Sequence, residues 1–472
     1  MLPWNPRWCA LTLSSSGRGR REMGRLFGTD GVRGRANATL TPELALRLGR
    51  AAGIALAGES SHSAMIIGRD TRVSGDMLEA ALAAGLCSSG VDVVSCGVCT
   101  TPAVAYLTRN GPFVAGIVIS ASHNPPPENG IKFFGHNGAK LPDATESMIE
   151  TLVIGLQVSP DSQPRSERIG RYSFQPGLAN SYADHCRNIA SAGIAGMRIV
   201  VDGANGAGHR LNPGILESLG VIVTRIHCEG EGERINDGCG STHPRSLQQA
   251  LVEHRADLGA AFDGDGDRVI LVDEKGRIVD GDHMLAIFGT HWADTDRLPG
   301  NVIVGTVMSN LGLEDCLRPR GVRLERASVG DRYVAELMRQ TGAEVGGEKS
   351  GHIILSRHGA TGDGLVTTLE IMEIMARTDR PLSDLAGTMT EYPQLLVAVR
   401  VSSREGWERN PDIAQAISRG ERALEGTGRL LVRASGTESV IRVMAEGRDE
   451  RLVRSVVEDI AGVVETALGG SV

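Results

Sequence analysis

Aromatic residues are scarce in this 472-residue sequence: phenylalanine, tryptophan and tyrosine together make up 3% of it. A core with so few rings must be packed from aliphatic side chains, and the 61 glycines indicate many tight turns. Both features are typical of layered α/β domains. The chain is also too long for one ordinary core, and its length predicts about three or four domains.

The sequence lacks a basic excess and any long apolar run. Its formal net charge is -8 at pH 7, which argues against nucleic acid or an acidic membrane surface as a partner. No apolar stretch approaches the ~20 residues that cross a bilayer. We therefore expect a globular protein with small-molecule ligands, no nucleic-acid partner and no membrane segment.

Cysteine is too sparse for a disulfide scaffold. The eight cysteines are scattered through the chain, which fits a reducing cytoplasm. Cys96 and Cys99 have the spacing of a redox motif or a zinc knuckle, but no second pair follows. We interpret them as small buried thiols.

Short apolar runs alternate with helical patterns along the chain. A capped helix begins at Thr41 and Pro42, and the strand AMIIGRD, a helix and the strand VDVVSC then form a βαβ pattern that predicts parallel pairing. The pattern recurs, and the last unit, from about residue 393, is typical of a smaller α+β domain. We predict three successive α/β/α-layered domains with mixed sheets and a smaller C-terminal α+β domain around a central cleft.

The most informative segment is FDGDGDR, in which Asp263, Asp265 and Asp267 lie between two apolar strands. Carboxylates so close together repel one another strongly unless water or a cation offsets their charge. Oxygen ligands select Mg²⁺, Mn²⁺ or Ca²⁺, and the glycines let all three side chains reach one ion. A calcium loop ending at Glu274 is disfavoured, because its sixth position needs glycine and holds Arg268. A solvated acidic turn is the less favoured alternative.

A second polar segment, SASHNPPPENG, follows an apolar run and contains Ser122 and His123. Ser122 could be a hydrolase nucleophile, but the G-x-S-x-G elbow is absent and the adjacent His123 is poorly placed as its base. It could also be a turn cap, as most loop serines are. The aspartates favour a third interpretation, because an ion held by three carboxylates can accept a serine phosphate as a further oxygen ligand.

Five motifs, spread from Gly24 to near the C-terminus, make the chain resemble the bacterial phosphoglucosamine mutases of the α-D-phosphohexomutase superfamily. They are GTDGVRG at 28–34, SASHNP with NGIKFF at 120–134, DGDGDR at 263–268, GGEKSGH at 346–352 and RASGTES with IRVMAE at 433–446. The resemblance implies a phosphoserine at Ser122. It also implies one Mg²⁺ ion bound by Asp263, Asp265, Asp267 and the Ser122 phosphate.

The same resemblance implies roles for other residues. Arg33 and Lys132 would act beside the phosphoryl group as electrostatic and proton-handling partners, although the residues alone favour a surface lysine at 132. Further catalytic candidates are His123 and His352. The candidate substrate-binding residues are Arg268, Glu348, Ser350, Arg433, Ser435, Gly436, Thr437 and Arg442.

Three positions depart from the pattern that the resemblance predicts: lysine stands at 349, and proline is absent at Ala434 and Ser439. On the residues alone, the segment 433–437 is already an anion cradle with a guanidinium, two hydroxyls and a glycine. The segment GRDTR at 68–72 is interpreted as a polar turn that helps to shape the cleft.

The reaction implied is the conversion of glucosamine 6-phosphate into glucosamine 1-phosphate through glucosamine 1,6-bisphosphate, supplying UDP-N-acetylglucosamine and cell-wall synthesis. The segment SVGDRYV at 328–334 resembles the glucosamine branch of the superfamily rather than the mannose and glucose branch. The alternatives are a phosphomannomutase or phosphoglucomutase, a non-catalytic calcium-binding protein and a serine hydrolase. We also expect a cytoplasmic location, a homodimer, and an activating kinase or autophosphorylation.

The resemblance also sets the expected boundaries. Because members usually begin just before a GTDG-type motif, we expect residues 1–22 to be an unstructured extension ahead of Met23, rather than a transit sequence. The predicted domains are 23–190 with the phosphoserine loop, 191–295 with the metal-binding loop, 296–392 with the sugar-binding loop and 393–472 with the phosphate-binding loop.

Overall fold

The computed structural model describes residues 26–28, 30–57, 63–155, 164, 168–190, 192–435 and 439–469. These residues form four sheets of six, five, four and three strands, which follow one another along the chain. The predicted architecture of three mixed-sheet α/β units and a smaller C-terminal unit is confirmed. The predicted extension at 1–22 lies outside the described residues.

The first unit is a six-stranded mixed sheet covered by helices. Its elements are β1 Val32–Arg35, α1 Pro42–Leu56, β2 Ala64–Arg69, α2 Gly75–Ser88, β3 Asp92–Val98, α3 Thr101–Asn110, β4 Ala115–Ile119, β5 Glu128–Gly135, α4 Asp143–Gly155 and β6 Tyr172–Phe174. The predicted parallel pairing of β2 with β3 is confirmed, and β4 lies on the other side of β2. Helix α1 is capped by Thr41, as predicted. Glycines let α1 and α2 approach closely, because a Cβ on Gly49 would lie 2.2 Å from the Leu82 carbonyl oxygen.

The second unit is a five-stranded sheet with the strand order β11-β10-β9-β7-β8. Its elements are α5 Ala179–Arg187, β7 Arg198–Asp202, α6 Leu211–Ser218, β8 Ile222–Ile226, α7 Arg245–His254, β9 Leu258–Phe262, β10 Val269–Asp273 and β11 Ile278–Val279. Strand β7 pairs in parallel with β8 and β9. Strands β9 and β10 form an antiparallel hairpin in which Phe262 pairs with Val269. The three aspartates therefore lie on the hairpin loop.

The third unit is a four-stranded sheet with the strand order β13-β12-β14-β15. Its elements are α8 Gly281–Asp294, β12 Val302–Thr306, α9 Leu311–Leu317, β13 Arg323–Ala327, α10 Asp331–Thr341, β14 Val345–Gly347, β15 Ile353–Leu355, α11 Gly364–Thr378 and α12 Leu382–Ala386. Helix α8, which precedes the predicted boundary at 295, packs against α9 and β14. The motif GGEKSGH begins in β14 and turns into β15.

The last unit is a three-stranded antiparallel sheet backed by two helices. Its elements are β16 Gln394–Arg400, α13 Pro411–Leu424, β17 Gly428–Ala434, β18 Val440–Gly447 and α14 Glu450–Leu468. Strand β18 lies in the centre and pairs with both of its neighbours. The motif RASGTES begins at Arg433 in β17 and ends at Ser439, just before β18.

The apolar cores divide the molecule unevenly. One buried cluster runs through the first three units and includes Ile66, Phe262 and Met372. The last unit has a core of its own, with Trp407 and Val443. A separate core of this kind allows the last unit to move as a body against the other three. Within the described part of the chain, each helix is too short or too polar to cross a membrane.

Candidate active site

The serine loop and the aspartate loop meet where β4 ends and where β9 turns into β10. Ser122 is buried, and its hydroxyl donates a hydrogen bond of 2.5 Å to Asp263 Oδ2. Its backbone adopts a φ of +54°, which is uncommon for a residue other than glycine and is kept only where surrounding contacts fix it. The structure therefore brings together the two motifs that the sequence predicted to act together.

Arg72 supplies many of the contacts that fix the serine loop. Its guanidinium is buried and pairs with Asp70 at 2.9 Å. The same group donates to the carbonyl oxygens of Ser122 at 3.1 Å and of Asn124 at 2.7 Å, and also to those of Pro125 and Glu128. The segment predicted to be a polar turn thus holds the backbone that carries Ser122.

Replacing Arg72 with methionine should lower the free energy of unfolding by about 3–5 kcal/mol, because Asp70 would be left buried without its cation. Burial already raises the pKa of Asp70, against the lowering effect of Arg72. Urea unfolding followed by circular dichroism measures the change. The matched control is Arg187→Met, which removes a solvent-exposed pair with Asp184 and should change stability little. Equal midpoints for the two variants would show that Arg72 does not hold the loop.

The three carboxylates form a compact buried cluster. One oxygen of each lies within 4.8 Å of the others. Asp265 Oδ2 accepts hydrogen bonds from Thr101 Oγ1 at 2.6 Å and from Lys132 Nζ at 2.8 Å. Among the described residues, Asp265 Oδ1 and Asp267 Oδ1 are buried and have no hydrogen-bond partner. Because such oxygens are costly to bury alone, the cluster fits a hard divalent cation such as Mg²⁺.

The pKa values of two of the carboxylates, those of Asp263 and Asp267, reflect their burial and the charges around them. Burial raises the pKa of Asp263 well above its usual value, and the charges of Asp267 and Asp265 raise it further. Burial alone would raise the pKa of Asp267 too, but the charges of Lys132 and His352 hold it well below the usual value. The cluster therefore depends on nearby cations to keep its carboxylates charged.

Lys132 is one of those cations and is buried rather than on the surface. Its Nζ lies 2.8 Å from Asp265, 3.1 Å from Asp30 and 3.5 Å from Asp267. Burial would lower the pKa of Lys132, but these carboxylates raise it well above its usual value. The environment thus favours an electrostatic role for Lys132 over a proton-accepting one. Arg33 pairs with the same Asp30.

His123 lies beside the Ser122 hydroxyl, although its sequence position made it a poor candidate for a base. Its Nδ1 is 3.3 Å from Ser122 Oγ. Burial lowers the pKa of His123 to about 4, with help from the charges of Arg268 and Arg33. The ring is therefore neutral near pH 7.

His352 is buried between two carboxylates. Its Nε2 accepts a hydrogen bond of 3.1 Å from the Gly362 N–H, and its Nδ1 lies 3.6 Å from Asp267. Burial lowers the pKa of His352, but Asp267 and Asp331 raise it more. The bond from Gly362 places the proton of the neutral ring on Nδ1, on the side of Asp267.

The predicted sugar-binding residues lie in the turn between β14 and β15. Glu348 Oε1 accepts a hydrogen bond of 2.9 Å from the Gly330 N–H, so this turn contacts the segment 328–334. Ser350 is exposed, and Lys349 pairs with Glu391 at 2.6 Å. The turn is thus joined to the segment that resembles the glucosamine branch.

Ion pairs join that segment to the first unit. Asp331 pairs with Lys140 at 2.5 Å, and Arg332 pairs with Glu146 at 2.7 Å. Lys140 also pairs with Asp30, the partner of Lys132. No sequence motif indicates these contacts, because the partners are far apart in the chain.

The predicted phosphate-binding loop places two guanidinium groups together. Arg433 and Arg442 face each other across β17 and β18. Burial and the charge of Arg442 both lower the pKa of Arg433. Like charges in directly opposite positions destabilise a strand pair, and an anionic ligand would remove that repulsion. Gly436 and Thr437 lie outside the described residues.

A third cation near this loop is Arg404, which no sequence motif indicates. Arg404 Nη1 donates to the Ser435 carbonyl oxygen, and Ser435 N–H donates to Val440 O at 2.9 Å. Arg404 lies 31 residues before Ser435 in the chain, and no motif surrounds it. The loop therefore has three arginines near its ends.

Models of four domains of the phosphoglucomutase/phosphomannomutase family match the chain. The α/β/α domains I, II and III match residues 24–157, 180–276 and 280–392, and the C-terminal domain matches 396–463. The matched ranges together cover most of the sequence.

Similar proteins of full length are also found. Phosphoglucosamine mutases of Desulforudis audaxviator and Pelotomaculum thermopropionicum are 52% and 49% identical to this chain, and each alignment covers 94% of it and 98% or 99% of the relative. A solved phosphoglucomutase/phosphomannomutase family protein from Burkholderia thailandensis is 25% identical, with a TM-score of 0.79 over 94% of this chain and 97% of that one. An Aspergillus fumigatus N-acetylphosphoglucosamine mutase, solved with GlcNAc-6P and magnesium, shares the fold at 18% identity, with a TM-score of 0.65 over 94% and 96% of the two chains.

Proposed function

The chain belongs to the phosphoglucomutase/phosphomannomutase family, and on that premise we propose that it is a phosphoglucosamine mutase, an isomerase that converts glucosamine 6-phosphate into glucosamine 1-phosphate. The observation that carries the chemistry is the Ser122 hydroxyl, held 2.5 Å from Asp263 within a cluster of three aspartates. Relatives about 50% identical over nearly their whole length support the substrate. The product would supply the synthesis of UDP-N-acetylglucosamine.

Ser122 would carry the phosphoryl group between enzyme and sugar. The phosphoserine gives its group to the free hydroxyl of the substrate and forms glucosamine 1,6-bisphosphate. The bisphosphate then reorients in the site, and its other phosphoryl group is transferred back to the Ser122 oxygen. Atoms and charge therefore balance over one cycle. Mg²⁺, held by Asp263, Asp265, Asp267 and the phosphoserine, would offset the charge that develops on the transferred group.

Charged side chains around Ser122 would stabilise the same transfer. Lys132 brings a fixed positive charge to the aspartate loop at 2.8 Å from Asp265. Arg33 Nη1 donates to Asn124 Oδ1 at 3.3 Å, next to the serine loop. Both charges are positioned before substrate arrives, so little reorganisation is needed during the reaction.

Of the catalytic candidates Lys132 and His352, His352 is the better supported as the proton acceptor for the attacking sugar hydroxyl. Lys132 is held in its charged form by three carboxylates. In its neutral form His352 would accept the proton on Nε2, which requires its bond from the Gly362 N–H to open. We therefore assign Lys132 to charge stabilisation and His352 to proton transfer.

The last unit would hold the phosphate that is not reacting. Arg433 and Arg442, together with Ser435, Gly436 and Thr437 of the same motif, would donate charge-assisted hydrogen bonds to a phosphate. The same loop can serve in both half-reactions, because the bisphosphate presents a phosphate at either end. Glu348 and Ser350 would bind the ring hydroxyls.

The substrate assignment predicts a preference among three sugar phosphates. The ratio kcat/KM for glucosamine 6-phosphate should exceed those for glucose 6-phosphate and mannose 6-phosphate by at least about tenfold, because a site that hydrogen-bonds the amino group loses that bond with an analogue that lacks the group. All three should be measured on one preparation, with Ser122→Ala as the control for contaminating mutase. A preference for glucose or mannose would support the phosphomannomutase or phosphoglucomutase alternative and leave the family unchanged.

Family membership gives no support to the calcium-binding and serine-hydrolase alternatives. A small phosphosugar is consistent with the substrates of the solved relatives. The homodimer, the cytoplasmic location and the source of the first phosphate on Ser122 stay predictions.

A further inference from the structure

A second group of metal-ligating side chains lies in the second unit, away from the three aspartates. Oxygen of Asp202, Nδ1 or Nε2 of His227 and Sγ of Cys239 lie within 4.8 Å of one another. They come from the end of β7, from the segment after β8 and from the segment before α7. Asp202 and Cys239 are buried, whereas 29% of the His227 side chain is exposed. The group is therefore enclosed on one side and reachable from solvent on the other.

The partners of these side chains leave part of the group unsatisfied. His227 Nδ1 is buried and faces the Asp202 carboxylate at 3.2 Å from Oδ2, and this carboxylate raises the pKa of His227. Cys239 is a free thiol, and its contact with the Arg234 carbonyl oxygen is 4.0 Å long. Asp202 accepts N–H hydrogen bonds from Ala204 at 2.9 Å and from Gly240 at 3.0 Å, which fix its carboxylate. Three metal-ligating side chains within reach of one ion, one of them a free buried thiol, indicate a ligand shared by the group.

We propose that Asp202, His227 and Cys239 bind a borderline-soft divalent transition-metal ion, for which Zn²⁺ is the best match. One thiolate, one imidazole and one carboxylate form a typical zinc donor set, with water as the fourth ligand. Mg²⁺ is a poor match, because it requires oxygen ligands in octahedral geometry. The site is thus chemically distinct from the aspartate cluster, which offers oxygen alone.

Binding requires the Cys239 thiol to lose its proton to solvent as the sulfur–metal bond forms. Burial raises the pKa of this thiol to about 12, and the charge of Asp202 contributes. The ion provides the compensating charge, as in other thiolate metal sites. The exposed face of His227 gives the ion a path to the buried thiol.

The position of the site indicates what the ion would do. The segment that carries Cys239 also carries Asn236, whose Nδ2 donates to the carbonyl oxygens of Ser122 at 2.8 Å and Asn124 at 3.1 Å. An ion bound at Cys239 would join this segment to β7 and to the chain after β8. We expect it to stabilise the support beneath the serine loop without taking part in phosphoryl transfer.

Cobalt(II) provides the test, because its bond to a thiolate gives an intense near-ultraviolet charge-transfer band. The metal-free full-length chain is titrated with Co²⁺ in excess Mg²⁺, which occupies the oxygen-only cluster. We expect a band that saturates at one equivalent and disappears when Zn²⁺ is added. In Cys239→Ser the band should be lost, because the thiolate that gives rise to it is absent.

The matched control is Cys228→Ser. Cys228 lies next to His227, but its thiol donates to the Ile226 carbonyl oxygen at 3.3 Å, so the band should remain. Mutase turnover of both variants shows whether they are folded. No band in the native chain, or a band that persists in Cys239→Ser, would overturn the proposal. Zn²⁺ should also raise the melting temperature of the native chain and leave that of Cys239→Ser unchanged.

Discussion

Replacing Ser122 with alanine should lower kcat for glucosamine 6-phosphate by at least about 10⁴-fold, as the removal of a covalent catalyst does in other enzymes. The Ser122 oxygen is the only atom of the side chain that can carry the phosphoryl group, and it lies 2.5 Å from Asp263. Coupled assay of glucosamine 1-phosphate, with the bisphosphate added as activator, measures the loss. Circular dichroism shows whether the variant is folded.

The control for this loss is Ser120→Ala, which removes a hydroxyl that positions the serine loop and keeps the Ser122 oxygen that carries the phosphoryl group. Ser120 Oγ accepts the Ser122 N–H at 2.9 Å and donates to Asp70 at 2.5 Å. Its removal should slow turnover only by about 10- to 100-fold, because the loop is less well positioned but the oxygen remains. Equal losses in the two variants would mean that Ser122 is a structural residue rather than the carrier.

Replacing Asp263 with asparagine should reduce kcat about 10²- to 10³-fold and raise the Mg²⁺ concentration needed for half-maximal turnover. Asparagine has the size of aspartate. It also keeps an oxygen that can accept the hydrogen bond that the Arg268 backbone N–H donates to Asp263 Oδ1 at 3.1 Å. It removes one negative charge from the three-aspartate cluster. The loss should therefore fall on metal binding and phosphoryl transfer more than on folding.

Titration of activity with Mg²⁺ at saturating substrate measures the shift. Asp294→Asn is the matched control, since Asp294 pairs with Arg320 at the protein surface and should show the native Mg²⁺ dependence. An Asp263→Asn variant with that same dependence would place the cation elsewhere.

Removal of Mg²⁺ with a chelator should abolish the turnover of the native enzyme, and added Mg²⁺ should restore it.

Much of the site could be predicted from sequence because its chemistry is local. Asp263, Asp265 and Asp267 lie within five residues, and their mutual repulsion favours a cation between them over a solvated acidic turn. The apolar runs on either side of the aspartates also predicted the two strands that flank them. Ser122 could be linked to them because a phosphate is a strong oxygen ligand for that cation.

The supporting contacts could not be predicted, because they depend on residues far apart in sequence. Nothing near Arg72 reveals that its guanidinium is buried against carbonyl oxygens of residues 122–128. Lys132 resembles a surface lysine until its neighbours Asp30 and Asp265 are seen around it. A sequence pattern gives the type of a side chain and its place on a strand, but the partner on another domain comes only with the fold.

The same limit applies to the proposed zinc site. Asp202, His227 and Cys239 have no spacing that corresponds to a known metal motif, since the sheet of the second unit brings them together.

The predicted domain boundary at 295 illustrates a related difficulty. Helix α8 follows the last strand of the second sheet closely, and only its packing shows that it contacts the third.

Peptide mass spectrometry of the purified, active enzyme tests the phosphoserine at 122 most directly. We predict a single phosphoryl group on the peptide that contains Ser122, and its transfer to glucosamine 6-phosphate, with bisphosphate as the product, when Mg²⁺ is present. An enzyme that turns over substrate at its full rate while Ser122 stays unphosphorylated at every stage of the cycle would contradict this mechanism.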